Sequence, residues 1–435
     1  MSLFQIIVTG IFIVFIVFAV LVFSGIIPFF GASPSGVGGT VILWGTLPAD
    51  YLSNSLSDFN RANDKLLVVR YVQKNEETFD RELVEAIASQ RGPDMILLPQ
   101  DLIVRHSNKV FPISYEQMSV RSFKDTFIEE GELYFTKEGI SALPLSVDPL
   151  ILFWNRDIFN AEAIPTPPAF WDQFLTIAPA VTVKDEALNV SRSLIAFGEF
   201  KNVTHAKDII SMLILQAGNP ITEIKEEGIV LTLSNRRGFV VTPAESVIRF
   251  YTEFSNPLKP AYSWNRSLPE SKDFFVSNDL GVYIGYASEI KEIIARSPNL
   301  NFDVALVPQV RGSDAKQVTF GRMTGVAALR SSPNLQTALY AASLLSGKSF
   351  IEAFSNESGL PPVRRDLLTE RTHGSFGGVL YPSALISNGW FDPLPAQTAS
   401  IFESMIGAIT SGRETPENAI TRAHGEIGNL FKQTP

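Results

Sequence analysis

The 435-residue chain contains no cysteine. That absence removes disulfides, thiol catalysis, cysteine-ligated zinc and lipid modification of an N-terminal cysteine, and it leaves the redox compartment open. Basic clusters are missing too. The 36 lysines and arginines are outnumbered by 45 aspartates and glutamates, for a net charge of −9. A phosphate backbone needs a basic face, so nucleic acid is excluded as a partner. His106, His205, His373 and His424 are scattered, with no H-x-x-x-H or carboxylate-paired spacing, and no metal site is expected. There is no G-x-S-x-G to suggest a serine hydrolase. "SGKSF" at 346–350 carries the tail of a phosphate loop, but Ala342 stands where its first glycine belongs, so the stretch reads as a helix end. No cofactor is expected.

Charge is also lacking at the start. No charged side chain occurs from Ser2 to Ala49, and an apolar run extends from Leu3 to Phe30. About 20 apolar residues span a bilayer as a helix, so residues 1–30 read as a transmembrane anchor. The competing reading is a signal peptide, whose apolar core is usually about 7–15 residues before an A-x-A-like site. "GASPSGVGG" then makes 31–40 a Gly/Ser tether, with a reach on the order of 15–18 Å. The short N-terminal flank favours export of the remainder.

What is present is a globular composition, 45% hydrophobic and 19% charged, long enough for two domains. From residue 41 the pattern alternates. "VILWG" (41–45), "LLVVRYV" (66–72) and "MILLP" (95–99) read as buried strands. Between them, Leu52, Leu56 and Phe59 share one helical stripe and Phe79, Leu83 and Ile87 another. Strand–helix alternation of this length allows parallel pairing. Ligands of such sheets bind beyond the carboxyl ends of the strands. There the sequence places Trp44, then Gln73, then Gln100 and Asp101. The bland reading is that any loop is polar; Trp44 beside a glycine is poorly explained that way.

A second unit opens with "ALPLSVDPLILFWNRDIF" (142–159), where Asp148 lies between Pro144 and Pro149 ahead of a buried strand. "PPAFWDQFLTIA" (167–178) begins a helix with proline at its front, and "TPAES" (242–246) is a capping box of Thr242 and Glu245. Further along come "GVYIGYASEI", "FDVALVPQ", "GLPPVRRDLL" and two C-terminal helices (396–412 and 415–432).

Taken in order, these segments resemble the extracellular solute-binding proteins of ABC importers, the family that includes maltose-binding protein. "VILWG" with "FNRAND", "LVEAIASQRGPDMILL", the 142–159 stretch with "PPAFWDQF", and the three later motifs carry the resemblance over about 41–432. It implies an α/β, two-lobe periplasmic-binding-protein-like fold with hinge crossings. One lobe would comprise 41–145 with a return segment near 309–345, the other 146–308 with about 346–435. It implies no enzyme activity but capture of a small solute, most readily a carbohydrate, between the lobes. The partners would be that solute, ABC permease subunits and, through the N-terminal helix, the membrane, at the extracytoplasmic face of a bacterial cell. The chain departs from the family in lacking a lipid-modified cysteine and an obvious cleavage site.

On this resemblance "LPLSVD" is a hinge crossing and Asp148 an acceptor for ligand hydroxyls at the cleft floor; otherwise Asp148 caps a turn before Pro149. Sugars want aromatic platforms with carboxylates, amides or guanidinium groups. Trp44, Tyr286 and Trp390 are the candidate platforms, and Gln100, Asp101 and Asp148 the polar contacts. Tyr286 is as readily a core tyrosine. Arg365 reads better as a helix-start partner of Asp366 than as a ligand donor. A cell-surface glycan-active enzyme, or a sensor or scaffold without a transport role, are the alternatives.

Overall fold

The computed structural model describes residues 37–226, 228–312, 316–369 and 374–433. The expected anchor at 1–30 and the start of the tether, 31–36, lie outside the described residues. Among the described residues, no helix is long and apolar enough to cross a membrane.

The strands are β1 (Gly39–Gly45), β2 (Leu67–Gln73), β3 (Met95–Pro99), β4 (Leu143–Asn155), β5 (Val183–Lys184), β6 (Val190–Ile195), β7 (Thr222–Lys225), β8 (Gly228–Leu231), β9 (Leu280–Tyr286), β10 (Phe302–Ala305), β11 (Thr319–Ala328) and β12 (Ser387–Asn388). All but the β7–β8 hairpin belong to one continuous sheet with the order β2-β1-β3-β11-β4-β9-β6-β5. β1 pairs in parallel with β2 and β3, as their long crossovers require. β1 starts at Gly39, inside the stretch expected to be tether, because the Gly38 N–H donates to Thr337 Oγ1 at 3.1 Å and Gly39 N–H to Leu66 O at 3.2 Å.

The fold is α/β with two lobes, and β4 belongs to both. Leu143–Pro149 pair antiparallel with β11, whereas Leu150–Trp154 pair with β9 and Leu152–Asn155 with β10. Pro144 faces Gly325 and Pro149 faces Gly321, and the register slips between Thr324 and Gly325. Proline cannot donate to a ladder, and a slipped register loosens it further. The two strands that join the lobes are therefore weakened where they pass between them.

Each sheet face is covered by helices whose stripes were visible in the sequence. Phe79 and Leu83 of the helix Glu76–Ala88 are buried in the larger core cluster; full burial of such side chains is worth about 2–3 kcal/mol each. Leu52 and Leu56 join Val41 and Leu43 in a second cluster on the opposite face. That second cluster also contains Phe350 and Phe354. The helix Lys348–Ser358 thus shares a cluster with β1 in the first lobe, although a boundary at 346 assigns it to the second. It also reaches the second lobe, through Ile351 in the larger cluster and the Ser358 carbonyl, which accepts from Lys291 at 2.8 Å. Gly347 ends one helix only to start the next, so helix punctuation is not a lobe boundary.

Candidate functional site

Beyond the ends of these strands lies a cleft of about 730 Å³, within the range usual for small-molecule sites. Both lobes and both hinge strands line it. Beyond β1 the chain contributes Thr46, Leu47 and Tyr51; beyond β3, Gln100 and Asp101; from β4 and β11 come Asp148 and Arg322. Gly45 is required at the first exit, since a Cβ there would overlap the Leu97 side chain. The far wall is the start of the helix Ala206–Gln216, reached through His205 in a left-handed conformation (φ 62°). It presents His205, Lys207 and Asp208. Phe200, Trp390 and Asp392 complete that side.

Of the six residues expected from sequence, four line the cleft and two do not. Asp101 has no hydrogen-bond or ion-pair partner among the described residues. Burial is the main cause that raises its carboxyl from 3.8 to about 6, against the pull of Lys207 and Arg322. Asp148 sits within β4, not at a turn, and its Oδ1 accepts the Ser288 N–H at 3.0 Å. Its pKa is raised, with burial the chief cause and Ser288 opposing. Gln100 reaches the cleft edge, but its amide is spent on β11: it donates to Gly321 O at 2.6 Å and accepts from the Met323 N–H at 3.3 Å. Trp390 is 3% exposed, donates its indole N–H to Ser211 Oγ at 3.1 Å, and lies nearly parallel to Phe402.

Trp44 and Tyr286 are corrections. Trp44 is the penultimate residue of β1, so its ring leaves through a face of the sheet, not off its end; the Lys74 ammonium caps it at 3.7 Å. Tyr286 is 1% exposed and donates its phenol to Asp208 Oδ2 at 2.7 Å. It supports the cleft wall from behind. Arg365, too, is elsewhere: its guanidinium donates to the carbonyls of Lys124 and Phe127, and Arg364 is the partner of Asp366.

Charged residues that the sequence reading passed over dominate the second-lobe side. Lys207 Nζ pairs with Asp392 Oδ2 at 2.8 Å, and Asp392 Oδ1 also accepts from Thr398 at 2.7 Å. Behind them Glu289 accepts from Tyr283 and from the Tyr286 N–H, each at 2.9 Å, pairs with Lys272 at 2.9 Å and meets His205 Nε2 at 3.1 Å. Burial alone would raise Glu289; His205 and Lys272 outweigh it and hold the carboxyl down at about 2. Asp208 is likewise lowered: burial opposes, but Lys207, Arg322 and the Tyr286 phenol prevail. His205 was set aside as one of four scattered histidines. Its place just before a buried apolar helix was the available signal. The aromatic faces are Tyr51 and Phe200, both half-buried. Tyr51 lies in the short 3-10 turn Ala49–Tyr51 just beyond the β1 exit.

Below the hinge, Glu130 is 1% exposed, and among the described residues neither carboxylate oxygen makes a well-aligned hydrogen bond, although Gln100 and the Gly321 backbone lie close enough to oppose its burial. A Cβ at Gly321 would overlap it, and burial raises its carboxyl to about 8. Among the described residues, no group of three or more histidines and carboxylates could hold a metal ion.

The family model for bacterial extracellular solute-binding proteins matches residues 49–357. The chain belongs to that family. No curated protein sequence matches it. Among solved structures, the sugar-binding protein MalE from the phytopathogen Xanthomonas citri is similar to this solute-binding protein with a TM-score of 0.71 and 14% identity, covering 91% of this chain and 98% of that one. The cyclic α-maltosyl-1,6-maltose binding protein from Arthrobacter globiformis gives 0.71 and 14%, over 91% and 99%. An ABC transporter solute-binding protein from Thermotoga lettingae bound with α-D-tagatose gives 0.65 and 18%, over 91% and 100%. At these identities the likeness establishes the shared fold.

Proposed function

We propose that this solute-binding protein captures a carbohydrate in the interlobe cleft and delivers it to an ABC permease. The observation that carries the reading is the placement of Asp101. It is a carboxylate with no hydrogen-bond or ion-pair partner among the described residues, at a strand exit, in a cleft flanked by the half-buried faces of Tyr51 and Phe200. Sugar hydroxyls would supply its missing hydrogen bonds, and the aromatic faces suit apolar C–H surfaces. Asp148, at the joint between the lobes, and Trp390, at the far rim, would add contacts. Gln100 would act by fixing β11 against β3. The sugars bound in similar structures, maltotetraose and α-D-tagatose among them, support this class.

Ligand contacts with both lobes favour the closed state by differential affinity. The lobes would comprise 41–145 with a return through about 360, and 146–308 with the remaining C-terminal segment. The apolar run from Leu3 to Phe30 would hold the body at the extracytoplasmic face of the cell membrane.

Thermal unfolding of the full-length chain against sugars, polyols, amino acids and peptides tests the reading. A ligand at about 100 times its Kd adds roughly 2.7 kcal/mol of stability. A shift with sugars, lost in Asp101→Ala, is expected; a shift with amino acids or peptides alone would contradict it. One observation favours a second reading. Asp101 is raised to about 6 while Asp208 is lowered, the divergence used by glycan-cleaving acid–base pairs. Consumption of a bound glycan would establish that alternative.

A further inference from the structure

Among the described residues, seven carboxylates line the cleft, against two lysines and one arginine. The lysines are engaged: Lys207 with Asp392 at 2.8 Å, and Lys201, at the rim, with Glu403 at 3.3 Å. Arg322 differs. It projects from hinge strand β11 opposite Asp148. Its guanidinium carbon lies 3.9 Å from the Tyr286 ring centre. Its nearest carboxylate oxygen, Asp208 Oδ2, is 3.6 Å away, too far for a hydrogen bond, and its contact with His205 Nδ1 is 3.5 Å. The side chain remains 47% exposed to the cleft. A guanidinium has five N–H donors, so most of them are free to meet a ligand.

We propose that Arg322 sets the charge selectivity of the cleft, so that uncharged sugars are taken in preference to both sugar acids and amino sugars. The inference rests on the carbohydrate reading above and names the class within it. A neutral polyol satisfies both unmatched groups, because its oxygens accept from Arg322 while its hydroxyls donate to Asp101. A sugar carboxylate could fork onto Arg322, but it would then sit among Asp148, Asp208 and Asp101. An ammonium suits those carboxylates but meets the positive charge of Arg322. Removing Arg322 leaves seven carboxylates against two engaged lysines, and the preference turns to amino sugars.

The test uses the full-length chain, calorimetric titration at pH 7, and trios that differ only at C6. These are glucose, 6-amino-6-deoxyglucose and glucuronate, with the corresponding galactose and mannose trios. Wild type binds the neutral member of its preferred trio best. In Arg322→Gln the affinity ratio of amino to neutral member rises roughly tenfold, as expected for one unit charge a few ångströms away in a wet site. Arg322→Lys, which keeps the charge, retains the wild-type order. In wild type, raising salt from 50 to 500 mM narrows the gap between neutral and amino members, a readout independent of whether the variants fold. Tightest binding of the acid by wild type, an unchanged ratio in Arg322→Gln, or a salt-independent gap would overturn the inference while leaving the carbohydrate reading intact. Failure of every trio and of the wider sugar panel would remove the carbohydrate reading itself, and the inference with it.

Discussion

Two carboxylates on opposite sides of the cleft are treated in opposite ways. Glu289, behind the second-lobe wall, has four protein partners and is held down at about 2. Asp101, at the first-lobe exit, has none among the described residues and is held up at about 6. Both lie in largely buried surroundings, so the difference is one of partners. The second-lobe wall is complete without ligand and contributes to stability. The first-lobe edge is left incomplete at a cost in stability, as expected of a group that awaits hydrogen bonds from elsewhere.

The largest effect should come from the complete side. Glu289→Gln removes the charge that faces both Lys272 and His205, leaving Lys272 only the part-exposed Glu292 at 3.0 Å, and should cost about 3 kcal/mol at pH 7 in denaturant unfolding. The loss should shrink in acid. A lowered carboxyl stabilises the fold above its unfolded value near 4.5, and that contribution fades as pH falls toward 2. A difference independent of pH would mean that the carboxylate charge is not what matters.

Glu130 resembles Asp101 in being buried without a well-aligned hydrogen bond among the described residues, but lies under the hinge. Its raised carboxyl contributes stability fully present below about 4.5 and lost as pH rises through about 8. Glu130→Gln should therefore gain on wild type across that window, by about 2 kcal/mol once relaxation around the charged form is allowed for and roughly 5 kcal/mol at most, and hold a constant lead above it. A lead already complete at pH 4 would show a packing effect unrelated to ionisation.

Asp101→Asn should separate stability from binding. The raised carboxyl favours the folded state below about 4, and that contribution is lost as pH rises through about 6. At pH 7 the variant should be more stable without ligand by about 1 kcal/mol once cleft water screens the charge, and by roughly 3 kcal/mol at most, yet bind sugar roughly tenfold more weakly. Equal losses in both would make Asp101 an ordinary structural residue. The smallest effect is expected from Trp44→Ala. With its ring capped by Lys74 and absent from the cleft wall, affinity should stay within about twofold of wild type.

The contrast also explains what could be read from the sequence. β3 and the stripe of Phe79 and Leu83 were legible because burial imposes period and punctuation on neighbouring residues. Asp101 was legible because the strand-exit rule depends only on chain order. Trp44 was misplaced by one residue of strand, which is enough to move a side chain from the end of a sheet to its face. Tyr286 was misjudged because its OH has a partner 78 residues away, Asp208. Arg322, Lys207 and Asp392 gave no local signal, since their roles arise from β11, a helix start and a C-terminal loop meeting in space. The packing of the helix Lys348–Ser358 against Leu52 and Leu56 is likewise a long-range fact that no helix-end rule contains.

The most direct test of the central claim is sugar titration of the full-length chain and two variants, followed by tryptophan fluorescence. The account predicts saturable binding by wild type, little change in Trp44→Ala, and a large loss in Asp101→Asn. Binding that survives loss of the Asp101 charge but disappears with Trp44 would place the site elsewhere and contradict it.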